Sequence, residues 1–184
     1  MPGDVPSIAR VHVEAWDAAK EGLELPTRRT AEQRTEWWTS YVARGESPLL
    51  VFEENGVVRG FLAYGPSRDD DGDGMLEVYT LYVDPSSWSQ GVGSALMAQV
   101  PSDQTVSLWV AERNSRARDF YTRHGFAPDG ARESGHHVPV LRLIRPMSRC
   151  VGGCAARHAV SRRHNPPLNT WEARLPAAGL PFIQ

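Results

Sequence analysis

With 184 residues, 41% of them hydrophobic and 23% charged, the chain has the composition of a globular protein long enough to bury one substantial core. The formal net charge of −2 argues against nucleic acid as the main partner, because phosphate-binding surfaces carry an excess of Lys and Arg. No apolar run approaches a bilayer-spanning length, and MPGDVPSIAR lacks the basic and apolar segments of a secretion signal, so no membrane partner and a cytoplasmic location are expected.

In chain order, residues 4–20 place Ile8, Val11, Ala15, Trp16 and Ala19 at mostly helical spacings, with Asp4 as N-cap and Pro6 inside the first turn. A second helix starts at Thr30, whose T-x-x-Q spacing to Gln33 forms a capping box, and ends at Gly45. The period then changes. SPLLVFEENGVVRGFLAYG holds two apolar runs joined through Asn55-Gly56, a strong hairpin signal. After an acidic stretch, MLEVYTLYVDP reads as a strand stopped by Pro85, SQGVGSALMAQV as a glycine turn entering a helix, and TVSLWVAE as a strand. NSRARDFYTRHGF reads as a helix ending at Gly125, and HVPVLRLIRP as a final strand. The fold class is therefore α/β, built on a mixed sheet. Beyond Pro146 the periodicity is lost, so the expected division is a domain over 1–146 and a poorly ordered, basic, proline-containing tail over 147–184.

Two stretches suggest metals. DDDGDGMLEVYT places Asp69, Asp71, Asp73 and Gly74 as an EF-hand loop would, but the twelfth position, which needs a bidentate Glu, is Thr80. The residues divide instead into a solvated turn, Asp69 to Gly74, and a strand carrying Glu77. Cys150, Cys154, His158 and His164 have a spacing zinc accepts, yet no compact apolar complement accompanies them. The expectation is no metal. His136 and His137 read as hairpin residues.

The turn bearing Gly91 and Gly93 fits either a simple tight turn or an anion site at a helix start. A dinucleotide fingerprint requires a third glycine where Leu96 stands, although Glu112 lies near the spacing of a ribose-binding acid. A Walker A loop requires G-K-[ST], which is absent.

Taken together, LYVDPSSWSQGVGSALM and the later LWVAERNSRARDFYTRHGF resemble the GNAT superfamily of acyl-CoA-dependent N-acyltransferases, the second element matching at Asn114, Ala117, Phe120, Tyr121, Gly125 and Phe126. EAWDAAKEGLELP is similar to the acceptor-side helix and loop of the phosphinothricin acetyltransferase-like branch, and the resemblance covers about residues 4 to 146. It implies a GNAT fold, a mixed sheet with helices on both faces, here without the usual first strand. It implies acetyl-CoA as cosubstrate, with Leu81, Tyr82 and Val83 pairing with the pantetheine arm and acyl carbonyl. Ser89, Gln90, Gly91, Val92, Gly93 and Ser94 would hold the pyrophosphate, and Asn114 the pantetheine. Tyr121 would stand near the sulfur as general acid, and Glu77 would be the base, through water, or an amine anchor. The residue types suit that chemistry, because a thiolate leaving group needs a proton donor and an alkylammonium must lose a proton before attack.

Three departures stand out: Trp88 replaces the usual Arg or Gln of the turn, Trp109 stands where some relatives carry a catalytic Glu, and Lys20 replaces a Tyr of the acceptor helix. With no Cys before Cys150 and no Ser in a nucleophile elbow, attack on the thioester is direct. The reading is an N-acetyltransferase acting on a primary amine, a small molecule or a peptide N-terminus, with a homodimer left open. A non-catalytic acyl-CoA-binding module of the same fold is the rival.

Overall fold

A computed structural model describes residues 2–19, 30–45, 47–134 and 138–148. The expectations for the tail beyond residue 148, with its Cys and His, for His136 and His137, and for Lys20 lie outside the described residues. Helix α1 (Val5–Ala19) follows a 3₁₀ turn that ends at Asp4, and carries Pro6 in its first turn, where the missing N–H leaves no helical bond unmade. Ile8, Val11 and Ala15 form its buried face, and His12 sits among them. Helix α2 (Ala31–Arg44) opens with the expected capping box: Thr30 Oγ1 accepts from the Gln33 amide, and Gln33 Oε1 accepts from the Thr30 amide. It closes on Gly45 at φ 63°, a conformation glycine adopts without strain.

Strands β1 (Leu49–Glu54) and β2 (Val57–Pro66) form the hairpin, with Asn55 and Gly56 both at positive φ, as a tight two-residue turn requires. Strand β3 (Leu76–Val83) pairs antiparallel with β2, and Tyr79 is an extra residue between the pairs Thr80–Ala63 and Val78–Tyr64. This bulge keeps Val78 and Leu81, three residues apart, in one core. Helix α3 (Val92–Met97), strand β4 (Val106–Ala111), helix α4 (Ser115–Arg123) and strands β5 (Ala127–Glu133) and β6 (Val140–Arg145) complete the chain. The sheet order is β1-β2-β3-β4-β6-β5, antiparallel except for β3 beside β4, so the expected mixed sheet is present. Among the described residues no strand precedes α1, and no helix is long and apolar enough to cross a membrane.

Two cores sandwich the sheet. On one face α1 and α2 bury Ile8, Val11, Ala15 and Trp38 against Val58, Phe61 and Tyr82. On the other, Val92, Leu96, Met97, Ala117 and Tyr121 of α3 and α4 pack on Leu62, Val78, Leu81, Val106, Leu108 and Val110. Strand β5 was not expected from the sequence. APDGARE has a proline, a glycine and no buried apolar residue, so it lacks apolar alternation and pairs only as an edge strand on β6.

Candidate active site

The site begins where two strands part. β3 and β4 run parallel, yet their register holds only the pairs Leu76–Val106 and Glu77–Ser107. The Leu76 amide donates to Thr105 O at 2.9 Å, and beyond Glu77 the strands separate into a fork. On their other edges β4 remains paired to β6 and β3 to β2, so each strand keeps its outer neighbour while the edge between them opens. The β4-facing edge of Val78 to Val83 is therefore open backbone in the middle of a sheet, and buried backbone groups need partners. Leu81 and Tyr82 lie along this edge. Val83 does too, but its carbonyl already accepts from Trp88 Nε1 at 2.9 Å.

Tyr121 approaches from α4. Its side chain is 1% exposed, ringed by Phe120 and Phe126, and its hydroxyl has no hydrogen-bond partner among the described residues. A buried hydroxyl without a partner costs free energy, and this one sits in the core shared with Val78, Leu81 and Leu108 of the two parting strands. Burial pushes the phenol well above its ordinary range, and neighbouring Tyr82 adds to this. The acid form is thereby kept.

The glycine turn follows β3. Asp84 caps the 3₁₀ turn Pro85–Ser87, accepting from the Ser86 amide and hydroxyl, and holds Arg10 at 3.2 Å. Burial alone raises its carboxyl, but these donors outweigh it and hold it below the usual carboxylate range. Ser89 and Gly91 then adopt φ 63° and 86°. Gln90 Nε2 folds back on Ser86 O at 2.8 Å. Val92 turns its side chain into the core, and Ser94 stays exposed. The first amides of α3 have no acceptor within the helix. Gly93 permits α4 to lie close: a Cβ there would stand 3.2 Å from Phe120 Cε2. Asn114 caps α4, its Oδ1 accepting from the Ala117 amide at 3.0 Å, while its Nδ2 finds no acceptor among the described residues.

Glu77 is 2% exposed and lies at the root of the fork. Its Oε2 accepts from the Arg68 amide at 3.0 Å and from Arg68 Nε at 2.9 Å, and its Oε1 accepts from Arg68 Nη2. Arg68 also lies over the Tyr79 ring, 4.4 Å from its centroid. The sequence contained no periodic signal for this partner.

A cleft of about 320 Å³ opens beside Arg68, lined by Asp69, Asp70, Asp71, Trp109, Arg132, Glu133 and Arg142. Arg142 on β6 is its anchor. It reaches Asp71 Oδ1 and Oδ2 at 2.5 and 2.7 Å, Asp69 Oδ2 at 3.1 Å and Asp129 Oδ2 at 2.7 Å. The hydrogen bond from Arg142, above all, lowers the Asp71 carboxyl. The acidic turn is thus clasped onto the sheet, with Trp109 Nε1 donating to Asp69 Oδ1 at 3.0 Å. On the α1 side His12 stacks on Tyr82 with ring centroids 4.2 Å apart, and its Nδ1 accepts from Trp38 Nε1 at 3.1 Å. An indole N–H only donates, so Nδ1 carries no proton and the imidazole is the neutral Nε2–H tautomer. Neither Arg142 nor His12 was singled out from the sequence. His12 left one signal, a polar residue on the apolar stripe of α1.

Comparison with known proteins bears on the family and the fold. Residues 9–126 match the family described as Acetyltransferase (GNAT) family. A chain of Mycobacterium tuberculosis described as a probable N-acetyltransferase is 30% identical over 138 residues, covering 70% of this chain and 78% of its own. The L-amino acid N-acyltransferase MnaT of Escherichia coli is 34% identical over 70 residues, 38% of this chain and 40% of that one. In fold, the chain is similar to a Salmonella typhimurium structure solved with acetyl-CoA, with TM-score 0.59 and 19% identity, covering 85% of this chain and 95% of that one.

Proposed function

Because this chain belongs to the acetyltransferase (GNAT) family, we propose that it transfers the acetyl group of acetyl-CoA to the primary amine of a small polar acceptor of the amino-acid type. The observation that carries the reading is the β3–β4 fork together with the buried Tyr121, which packs in the same core as Leu81 and Leu108 of the two strands and whose hydroxyl has no partner among the described residues. The open edge of Leu81 to Val83 suits an amide-bearing pantetheine arm, and Asn114 Nδ2 offers one more donor. The turn from Ser89 to Ser94, exposed at Ser89, Gln90, Gly91 and Ser94, suits the pyrophosphate.

Acetyl-CoA supplies a thioester carbonyl at which a C–N bond forms while the C–S bond breaks and the sulfur leaves with the electron pair. Tyr121 Oη gives its proton to that sulfur, and burial keeps the phenol protonated for the task. The phenol regains a proton from the ammonium through solvent. His12 is not the base, since protonating Nδ1 would break its bond with Trp38. Glu77 serves the acceptor side through Arg68: both oxygens accept from that residue, so it positions Arg68 at the cleft, and action as a base would first require its release. The cleft wall, with charges of both signs around Trp109, suits a charged acceptor better than an apolar one.

The test is free-thiol release from acetyl-CoA over amino acids, amino-acid analogues, aliphatic amines and short peptides, with products identified by mass spectrometry. Acetylation of polar amines with direct transfer kinetics is expected. Tight CoA binding with no turnover on any amine would refute the reading in favour of a binding module.

A further inference from the structure

The glycine turn has a cation that no sequence motif of the turn supplies. Arg116, in the first turn of α4, is exposed, and its guanidinium carbon lies 3.7 Å from the centroid of the Trp88 ring. The indole is itself fixed, because Nε1 donates to Val83 O at 2.9 Å. Trp88 therefore forms a shelf between the end of β3 and the turn, with the guanidinium laid on it.

No carboxylate among the described residues meets Arg116, and the influence resolved on it is desolvation, which lowers its pKa. Its neighbours differ: Arg118 donates to Glu112 O at 3.0 Å, and Arg132 to Glu112 Oε1 at 2.8 Å. The register of α4 aims Arg116 at the turn. Phe120, one helical turn further along the same face, lies against Gly93. The face bearing 116 and 120 therefore runs along residues 88–93, past Ser89 and Gly91 with their positive φ. An uncompensated cation already held flat loses little freedom when it takes an anion.

We propose that Arg116, seated on Trp88, binds a phosphate of the nucleotide end of CoA, with Trp88 as the platform that orients it. The proposal rests on the acetyl-CoA reading above and adds to it a cofactor-binding residue supplied from a different element than the turn. The phosphate is either the pyrophosphate or the ribose 3′-phosphate, and the ligand series separates them.

The experiment is calorimetric binding of CoA, dephospho-CoA and pantetheine to the wild type, Arg116→Gln, Arg116→Lys and Trp88→Leu, each checked for an unchanged melting temperature. Arg116→Gln should weaken CoA about tenfold, the size of one lost charge-assisted contact. Arg116→Lys should lose less, and Trp88→Leu should lose part of the same amount. A loss that vanishes with dephospho-CoA assigns the 3′-phosphate. One that persists there and vanishes with pantetheine assigns the pyrophosphate. The proposal is overturned if Arg116→Gln binds CoA like the wild type, or weakens pantetheine as much as CoA. A wild type that binds no CoA sinks the acetyl-CoA reading itself, a result distinct from normal wild-type binding with an indifferent Arg116.

Discussion

Replacing Tyr121 by Phe removes one oxygen from a ring that is 1% exposed and leaves the packing with Phe120 and Phe126 in place. Stability and activity should then move in opposite directions. The hydroxyl has no partner among the described residues, so its burial is a cost of order 1–3 kcal/mol that Phe does not carry. The variant should unfold in urea at the same concentration as the wild type or a higher one. Turnover should fall by a factor of order 10²–10⁴, the range for a lost general acid, or roughly 3–5 kcal/mol of barrier. The assay is kcat and KM by free-thiol release, with CoA affinity and urea midpoint measured on the same samples. CoA affinity should change little. Burial, and secondarily Tyr82, raises the Tyr121 phenol, so the wild-type rate should show no descending alkaline limb from this group below about pH 10. Unchanged turnover would refute the general-acid assignment. A lower urea midpoint would refute the claim that the hydroxyl is unpartnered.

Glu77→Gln removes the charge that holds Arg68 and should cost about 2 kcal/mol of stability, moderated by the half-exposed guanidinium, while CoA binding survives and amine turnover falls. Arg142→Met strands the largely buried Asp69 and Asp129 carboxylates and should cost about 3 kcal/mol, measured by urea unfolding; Asp71→Asn, at a carboxylate 66% exposed, should cost far less. Equal losses would show that the clasp does not work through burial. Gly91→Ala and Gly93→Ala should each weaken CoA binding, but for different reasons. The first forces a side chain to φ 86° in open space, and the second presses Phe120. Phe120→Leu should therefore rescue Gly93→Ala and leave Gly91→Ala unrescued.

Much of the frame was legible locally. The Thr30–Gln33 capping box, Gly45 at the end of α2 and the Asn55-Gly56 turn are formed by residues within a few positions of one another, and a backbone turn needs no distant partner to be specified. The glycine turn before α3 and Asn114 at the start of α4 are of the same kind. Strand β5 escaped because an exposed edge strand carries no apolar alternation. The two-sided burial of β3 hid which of its residues faces which core until the Tyr79 bulge was placed.

The sequence by itself thus determined the order of elements, their caps and turns, and the motif pair that identifies the family. The tertiary structure alone decided how the charges are used. Arg142 meets Asp71 across 71 positions of chain, and Arg116 meets Trp88 from another helix. Glu77, legible as a carboxylate near the fork, has its role set by Arg68 nine residues earlier, across the acidic turn. The physical reason is that capping and turn formation act over one or two peptide units. Ion pairing and stacking depend on which side chains the folded sheet brings within a few ångströms, and no sequence period encodes that.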